Sequence, residues 1–91
     1  MARVLYSESY NRRAARFLER HPELVAQYTK TLRLLEADPG HPSLRLHRLS
    51  GKLAGLHSVS INLSYRITLE FLVEGDTIIP VDVGSHDEAY G

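Results

Sequence analysis

The sequence has no cysteine, so it can form neither a disulfide framework nor a thiolate zinc site, and thiol catalysis is excluded. That absence fits a reducing compartment. No apolar run approaches the length needed to span a bilayer, and Met1 to Tyr10 lacks the apolar stretch of a secretory signal. A soluble, cytoplasmic protein with no membrane partner is therefore expected. Two further absences are local. Between Pro39 and Leu69 there is no Asp or Glu, while Arg45, Arg48, Lys52 and Arg66 stand there with His41, His47 and His57. From Glu70 to the end there is no Lys or Arg. A formal net charge of zero therefore hides a basic middle and an acidic ending, and charge has to be read segment by segment.

What is present describes one domain, since 91 residues can close a single two-layer core and no more. The hydrophobic content of 43% and charged content of 24% are those of an ordinary globular chain. Ala2 to Tyr6 reads as a short strand ending at a helix cap, Ser7. Tyr10, Ala14, Phe17 and Leu18 then repeat at helical spacing, with Arg12, Arg13, Arg16, Glu19 and Arg20 mainly off that stripe. The helix is expected to end near His21. Pro22 suits the first turn of a second helix, whose stripe Leu24, Tyr28, Leu32, Leu35 runs to the stop at Asp38-Pro39-Gly40.

Beyond that stop the period changes from helical to alternating. Leu44 and Leu46, then Val59, Ile61 and Leu63, alternate with polar residues as half-buried strands do. Tyr65 to Val73 and Thr77 to Val83 are rich in strand formers and flank Glu74-Gly75-Asp76, so they predict a hairpin. Pro80 argues against a central place for the last strand, because it cannot donate a ladder hydrogen bond. The predicted fold is α+β in the order β-α-α-β-β-β, an antiparallel sheet with a two-helix hairpin packed on one face. The other face is left for function.

Three segments carry a resemblance. The run Leu46-His47-Arg48-Leu49-Ser50-Gly51-Lys52-Leu53-Ala54-Gly55-Leu56-His57-Ser58-Val59 resembles a glycine-punctuated segment of the RelE-superfamily toxins, especially their YafQ branch. Ser64-Tyr65-Arg66-Ile67 resembles the tyrosine-arginine strand of that superfamily. Gly84-Ser85-His86-Asp87-Glu88-Ala89-Tyr90 resembles the YafQ-type ending, a histidine followed four residues later by an aromatic. With the element order, the resemblance spans essentially the whole chain and implies a RelE-like fold. It also implies a type II toxin acting as a ribosome-dependent mRNA endoribonuclease, using no metal or other cofactor and silenced by a cognate antitoxin.

The residue types suit that chemistry. Cutting RNA without a metal takes a base for the 2′-hydroxyl proton, a cation for the phosphate and an acid for the leaving 5′-oxygen. Histidine titrates near neutrality and serves either proton role, whereas the arginine fork stays charged and grips two phosphate oxygens. On this reading His86 is the general acid, His47 the general base or a phosphate ligand, and Arg66 the phosphate clamp. Tyr90 stacks on an unpaired base or orients a reacting group. Arg45, Arg48 and Lys52 are expected to contact RNA phosphates. His41 and His57 fall outside the expected site, and the histidine spacing shows no metal motif.

Each assignment has a plainer alternative. His47 could lie on a solvated face, Arg66 could pair with Glu70, and Tyr90 could pack down the tail. The chain also departs from the YafQ branch, which tends to carry a His and an Asp where Ser60 and Ser64 stand here. That places more of the proton transfer on His47 and His86. Two other functions compete: a ParE-type toxin that blocks DNA gyrase by contact, and a degenerate member that only binds its antitoxin.

Overall fold

The computed structural model describes residues 2–72 and 76–85. Within them the chain forms β1 (Arg3–Val4), α1 (Glu8–Arg20), α2 (Val25–Ala37), β2 (His47–Arg48), β3 (His57–Ser60), β4 (Tyr65–Leu72) and β5 (Thr77–Ser85). Single 3-10 turns at Pro22–Leu24, Pro42–Leu44 and Gly51–Leu53 link them. The strands make one five-stranded sheet in the order β1-β5-β4-β3-β2.

Helix α1 begins where its cap residue predicts. The Ser7 hydroxyl accepts the Tyr10 N–H at 3.1 Å, satisfying one of the donors that a helix start leaves over. Tyr10, Ala14 and Phe17 are its buried residues. Pro22 opens a 3-10 turn, and the α-helix proper starts only at Val25. Of the expected stripe, Leu24, Tyr28 and Leu35 are buried and Leu32 packs half-buried against the core; Thr31 is buried beside them. Thr31 tolerates burial because its hydroxyl donates to the Gln27 carbonyl at 2.8 Å. The two helices are also joined side to side by the Tyr10 and Tyr28 hydroxyls, 2.7 Å apart and buried. Burial pushes the Tyr10 phenol far above the ordinary tyrosine range, with the Tyr28 contact adding to the effect.

The α+β architecture and the helix pair on one face of the sheet match the sequence reading. The sheet itself is mixed: β1 pairs parallel with β5, and the other three pairings are antiparallel. The parallel pair follows from connectivity, because the whole helical layer and three strands intervene between β1 and β5. Pro80 is buried in β5 opposite Leu69, next to a register shift between Thr68 and Leu69. A bulge of this kind is where a sheet accepts a residue that cannot donate. The alternation expected from Leu44 to Leu63 is realised only in part. Leu44 is buried in a 3-10 turn, β2 is two residues long, and Leu63 is 80% exposed in the turn that leads to β4. Of the expected turn at Glu74-Gly75-Asp76, the first two residues lie outside the described residues.

Sheet and helices meet in one core. Val59, Ile67 and Val83 are register partners on the helix-covered face and pack with Phe17, Tyr28 and Leu35. Leu35 is fully buried, and truncating such a leucine costs about 2 to 5 kcal/mol once the cavity is included. Leu35→Ala is therefore expected to lower the urea midpoint by that amount of stability. Leu63→Ala should leave the unfolding free energy from urea titration within about 0.5 kcal/mol; equal effects of the two changes would contradict this placement of the core.

Candidate functional site

The side chains of β4 alternate between the two faces of the sheet, and this alternation builds the site. Tyr65 lies on the helix side, its ring 5.3 Å from Phe17 and 4.7 Å from His21. Arg66 therefore points to the open face. Its register partners are Ser60 on β3 and Gly84 on β5. Arg66 Nη1 donates to Ser60 Oγ at 2.8 Å, and Ser60 is itself buried. Gly84 contributes no side chain on the other flank.

One step along the same face stand Ser58 and Thr68, register partners of each other, with His47 opposite Ser58. The His47 ring is held at both nitrogens. Nδ1 lies 3.0 Å from the Arg45 carbonyl, which can only accept, so this contact places the proton on Nδ1. In the neutral ring the lone pair is then on Nε2, which faces Ser58 Oγ at 3.4 Å. Arg45 aims its carbonyl from a left-handed conformation, φ 50° and ψ 45°, that ends the Pro42–Leu44 turn. Such a conformation is uncommon for a residue with a side chain. Strand geometry separates the His47 and Arg66 α-carbons by roughly 12 Å, two strand spacings across and two residues along. Both side chains can reach a single group lying between them.

The loop between β2 and β3 owes its shape to the two glycines of the sequence motif. Gly51 and Gly55 have φ of +65° and +96°, and nothing lies within 4 Å of where a Cβ would stand. Their requirement is conformational rather than steric. Lys52, between them, is exposed in the 3-10 turn.

The structure separates several residues that the sequence groups together. His47, Arg66 and the two serines share the open face. Arg48 does not, because it neighbours His47 in a strand and pairs with His57, which puts it on the opposite face. There it lines a cleft with His57 and Phe71. The His57 ring meets Phe71 edge-on at 5.0 Å, and its Nδ1 is buried without a hydrogen-bond partner. Burial, then the charge of Arg48 and the nearby His47, hold its pKa below the ordinary imidazole value. Arg45 is exposed at the rim of a different cleft, with Gln27, Ser60 and Leu63, so its contribution to His47 comes through its carbonyl. Ser64 lies in the turn before β4, where its N–H is bonded to Asn62 Oδ1, and not on the face that carries His47 and Arg66. His86 and Tyr90 lie outside the described residues. Sequence reasoning missed Ser58 and Ser60 as supports; the alternation of Ser58 and Ser60 with Val59 was the available signal.

The comparisons with known proteins bear on this arrangement. No protein-family model matches the chain, and no curated protein matches its sequence. Solved structures do match. YafQ from E. coli superposes with a TM-score of 0.78 over 100% of both chains at 13% identity. The fold is that of the RelE and YafQ toxins. A YoeB/ParE toxin from Agrobacterium tumefaciens gives a TM-score of 0.67 at 17% identity, covering 94% of this chain and 99% of that one. The RelBE2 toxin-antitoxin complex from Mycobacterium tuberculosis gives 0.66 at 19% identity, covering 93% and 98%. At such identities the RelE-like likeness is one of fold, and function has to be argued from the site.

Two outcomes test this geometry. Ser60→Ala removes the acceptor of a charged donor and should cost about 1 to 2 kcal/mol in urea unfolding; an unchanged midpoint would show that the Arg66 contact contributes nothing. His57 resists protonation when folded, so the unfolded chain binds the proton more readily below the ordinary value of 6.5. Stability should therefore fall as pH drops through and below 6.5. His57→Phe should flatten that acid limb, as read by thermal unfolding across pH 7 to 5.

Proposed function

We propose that this chain is the toxin of a type II toxin-antitoxin pair and that it cleaves mRNA on the ribosome without a metal, in the cytoplasm. The observation that carries the reading is the His47 tautomer: a ring whose Nδ1 is tied to the Arg45 carbonyl presents a basic Nε2 to the face that holds Arg66. Those are the base and the phosphate cation that the reaction requires. The fold of toxins such as YafQ, and of the toxin within the RelBE2 complex, supports the same reading and the expectation of an antitoxin partner.

In the proposed reaction His47 Nε2 takes the proton of a ribose 2′-hydroxyl as its oxygen attacks the adjacent phosphorus. The bond from phosphorus to the 5′-oxygen breaks, leaving a 2′,3′-cyclic phosphate on one fragment. The 5′-oxygen takes a proton from His86, assigned here as general acid, and leaves as a hydroxyl. Arg66 neutralises the charge gathering on the non-bridging oxygens, and its bond to Ser60 holds the fork in place beforehand, so less reorganisation is needed during the reaction. Ser60 and Ser58 take no proton near neutral pH; they position the two groups that act. Tyr90 is assigned to base stacking, and Lys52 and the Arg45 side chain to phosphates of the flanking RNA. Arg48, on the other face, is not needed.

His47→Ala is expected to slow single-turnover cleavage of ribosome-programmed mRNA by about 10² to 10⁴-fold, the usual worth of a positioned acid or base. Arg66→Ala should do at least as much damage, whereas Arg48→Ala and His57→Ala should stay within about threefold. Intact mRNA in the presence of the unaltered chain, together with loss of gyrase supercoiling, would replace this reading with the ParE-type one.

A further inference from the structure

Helix α1 carries a second concentration of positive charge that the proposed reaction leaves unused. Arg13, Arg16 and Arg20 recur at i, i+3 and i+7, which places them along one side of the helix. They line a cleft of roughly 360 Å³ between α1 and the paired ends of β4 and β5. Among the described residues, none of these arginines has a carboxylate within ion-pair distance; Glu23 Oε1 lies 3.9 Å from His21 Nδ1 instead. Arg13 is anchored, since its Nη1 donates to the Val81 carbonyl at 3.0 Å. Arg16 and Arg20 are exposed.

The floor of the cleft is aromatic. Phe17, His21 and Tyr65 form a cluster with centroid separations of 4.7 to 5.3 Å, and His21 and Tyr65 are only half-buried. Asp82 also lines the cleft. Its Oδ1 accepts the Val83 N–H at 2.9 Å, which leaves its other oxygen available. Three guanidinium groups against one carboxylate give the cleft a positive balance.

We propose that this cleft binds a single-stranded RNA segment, separately from the face that carries His47 and Arg66. The arginine forks take phosphate oxygens, the half-buried rings offer a stacking surface for a base, and Asp82 accepts a ribose 2′-hydroxyl. An acidic peptide of aliphatic and carboxylate side chains would satisfy the arginines but would leave the ring floor and the Asp82 acceptor unused. Position favours RNA as well. Tyr65 and Arg66 are consecutive residues at the start of β4, so the cleft and the candidate site lie back to back at the same end of the β4-β5 hairpin. A strand leaving one can pass round the end of the sheet to the other. The inference rests on the reading of the chain as an RNA-binding protein, but not on cleavage.

The test uses a short fluorescein-labelled RNA and fluorescence polarisation, in full-length protein carrying His47→Ala so that the probe stays intact. Arg16→Ala with Arg20→Ala is expected to weaken binding at least about tenfold at low salt. It should also reduce the slope of log affinity against log salt by about 1.4, two phosphate contacts at about 0.7 each. The paired change to Lys, which preserves charge on the same exposed positions, should keep the slope and lose only part of the affinity. DNA of the same sequence should bind more weakly than RNA, and Asp82→Asn should narrow that difference. Affinity within about twofold of the parent after both arginines are removed would overturn the proposal. So would a polyglutamate peptide that displaces the probe as effectively as unlabelled RNA. Because the readout is binding, failure of the cleavage reading leaves each of these outcomes interpretable.

Discussion

Strand β4 is hydrogen-bonded on both edges, to β3 and to β5, and its two-residue period sets the position of nearly everything else. Ile67 and Leu69 enter the core with no exposed surface, which fixes the register, because a slip of one residue would turn both into solvent and drive Arg66 into the helical layer. Burying an unpaired guanidinium there would cost several kcal/mol. The apolar face thus determines where the charged face lies. Arg66 meets Ser60 and Gly84 as a consequence of the core rather than of any attraction between those residues.

The same period explains why a small chain can carry two basic regions without their competing. On one face Arg66 is held by Ser60, with His47 one strand further out. On the other, Tyr65 packs into the ring cluster beneath the α1 arginines. Neighbouring residues in a strand serve opposite surfaces, so the sheet thickness separates the two charge clusters while the covalent chain keeps them at one end of the hairpin.

Support for His47 and Arg66 comes mainly from short-range backbone and hydroxyl contacts. The Arg45 carbonyl orients the His47 ring, and that carbonyl is aimed by the left-handed turn residue itself. Ser58 and Ser60 provide the remaining contacts. Ser60 holds the Arg66 fork through its hydroxyl. His57 lies on the other face of the sheet. Its edge-on contact with Phe71 and its resistance to protonation suit packing more than proton transfer.

Much of this is legible in the order of the residues. Ser7 marks the start of α1, the stripe Tyr10, Ala14, Phe17 marks its buried face, and Tyr65 followed by Arg66 implies opposite faces; each depends on local stereochemistry, which the chain carries within a few residues. The burial of Thr31 in α2, the exposure of Leu63 and the parallel pairing of β1 are not legible there, because each depends on what the element packs against. The same limit applies to the site. Sequence groups Arg45, His47, Arg48 and Arg66 by proximity and charge. Folding sends Arg48 to the far face, sets the Arg45 carbonyl against the His47 ring while leaving the Arg45 side chain exposed, and places the α1 arginines over an aromatic floor. Spacing along a chain fixes which side of its own element a residue occupies; which other element lies opposite is decided by the burial of the core.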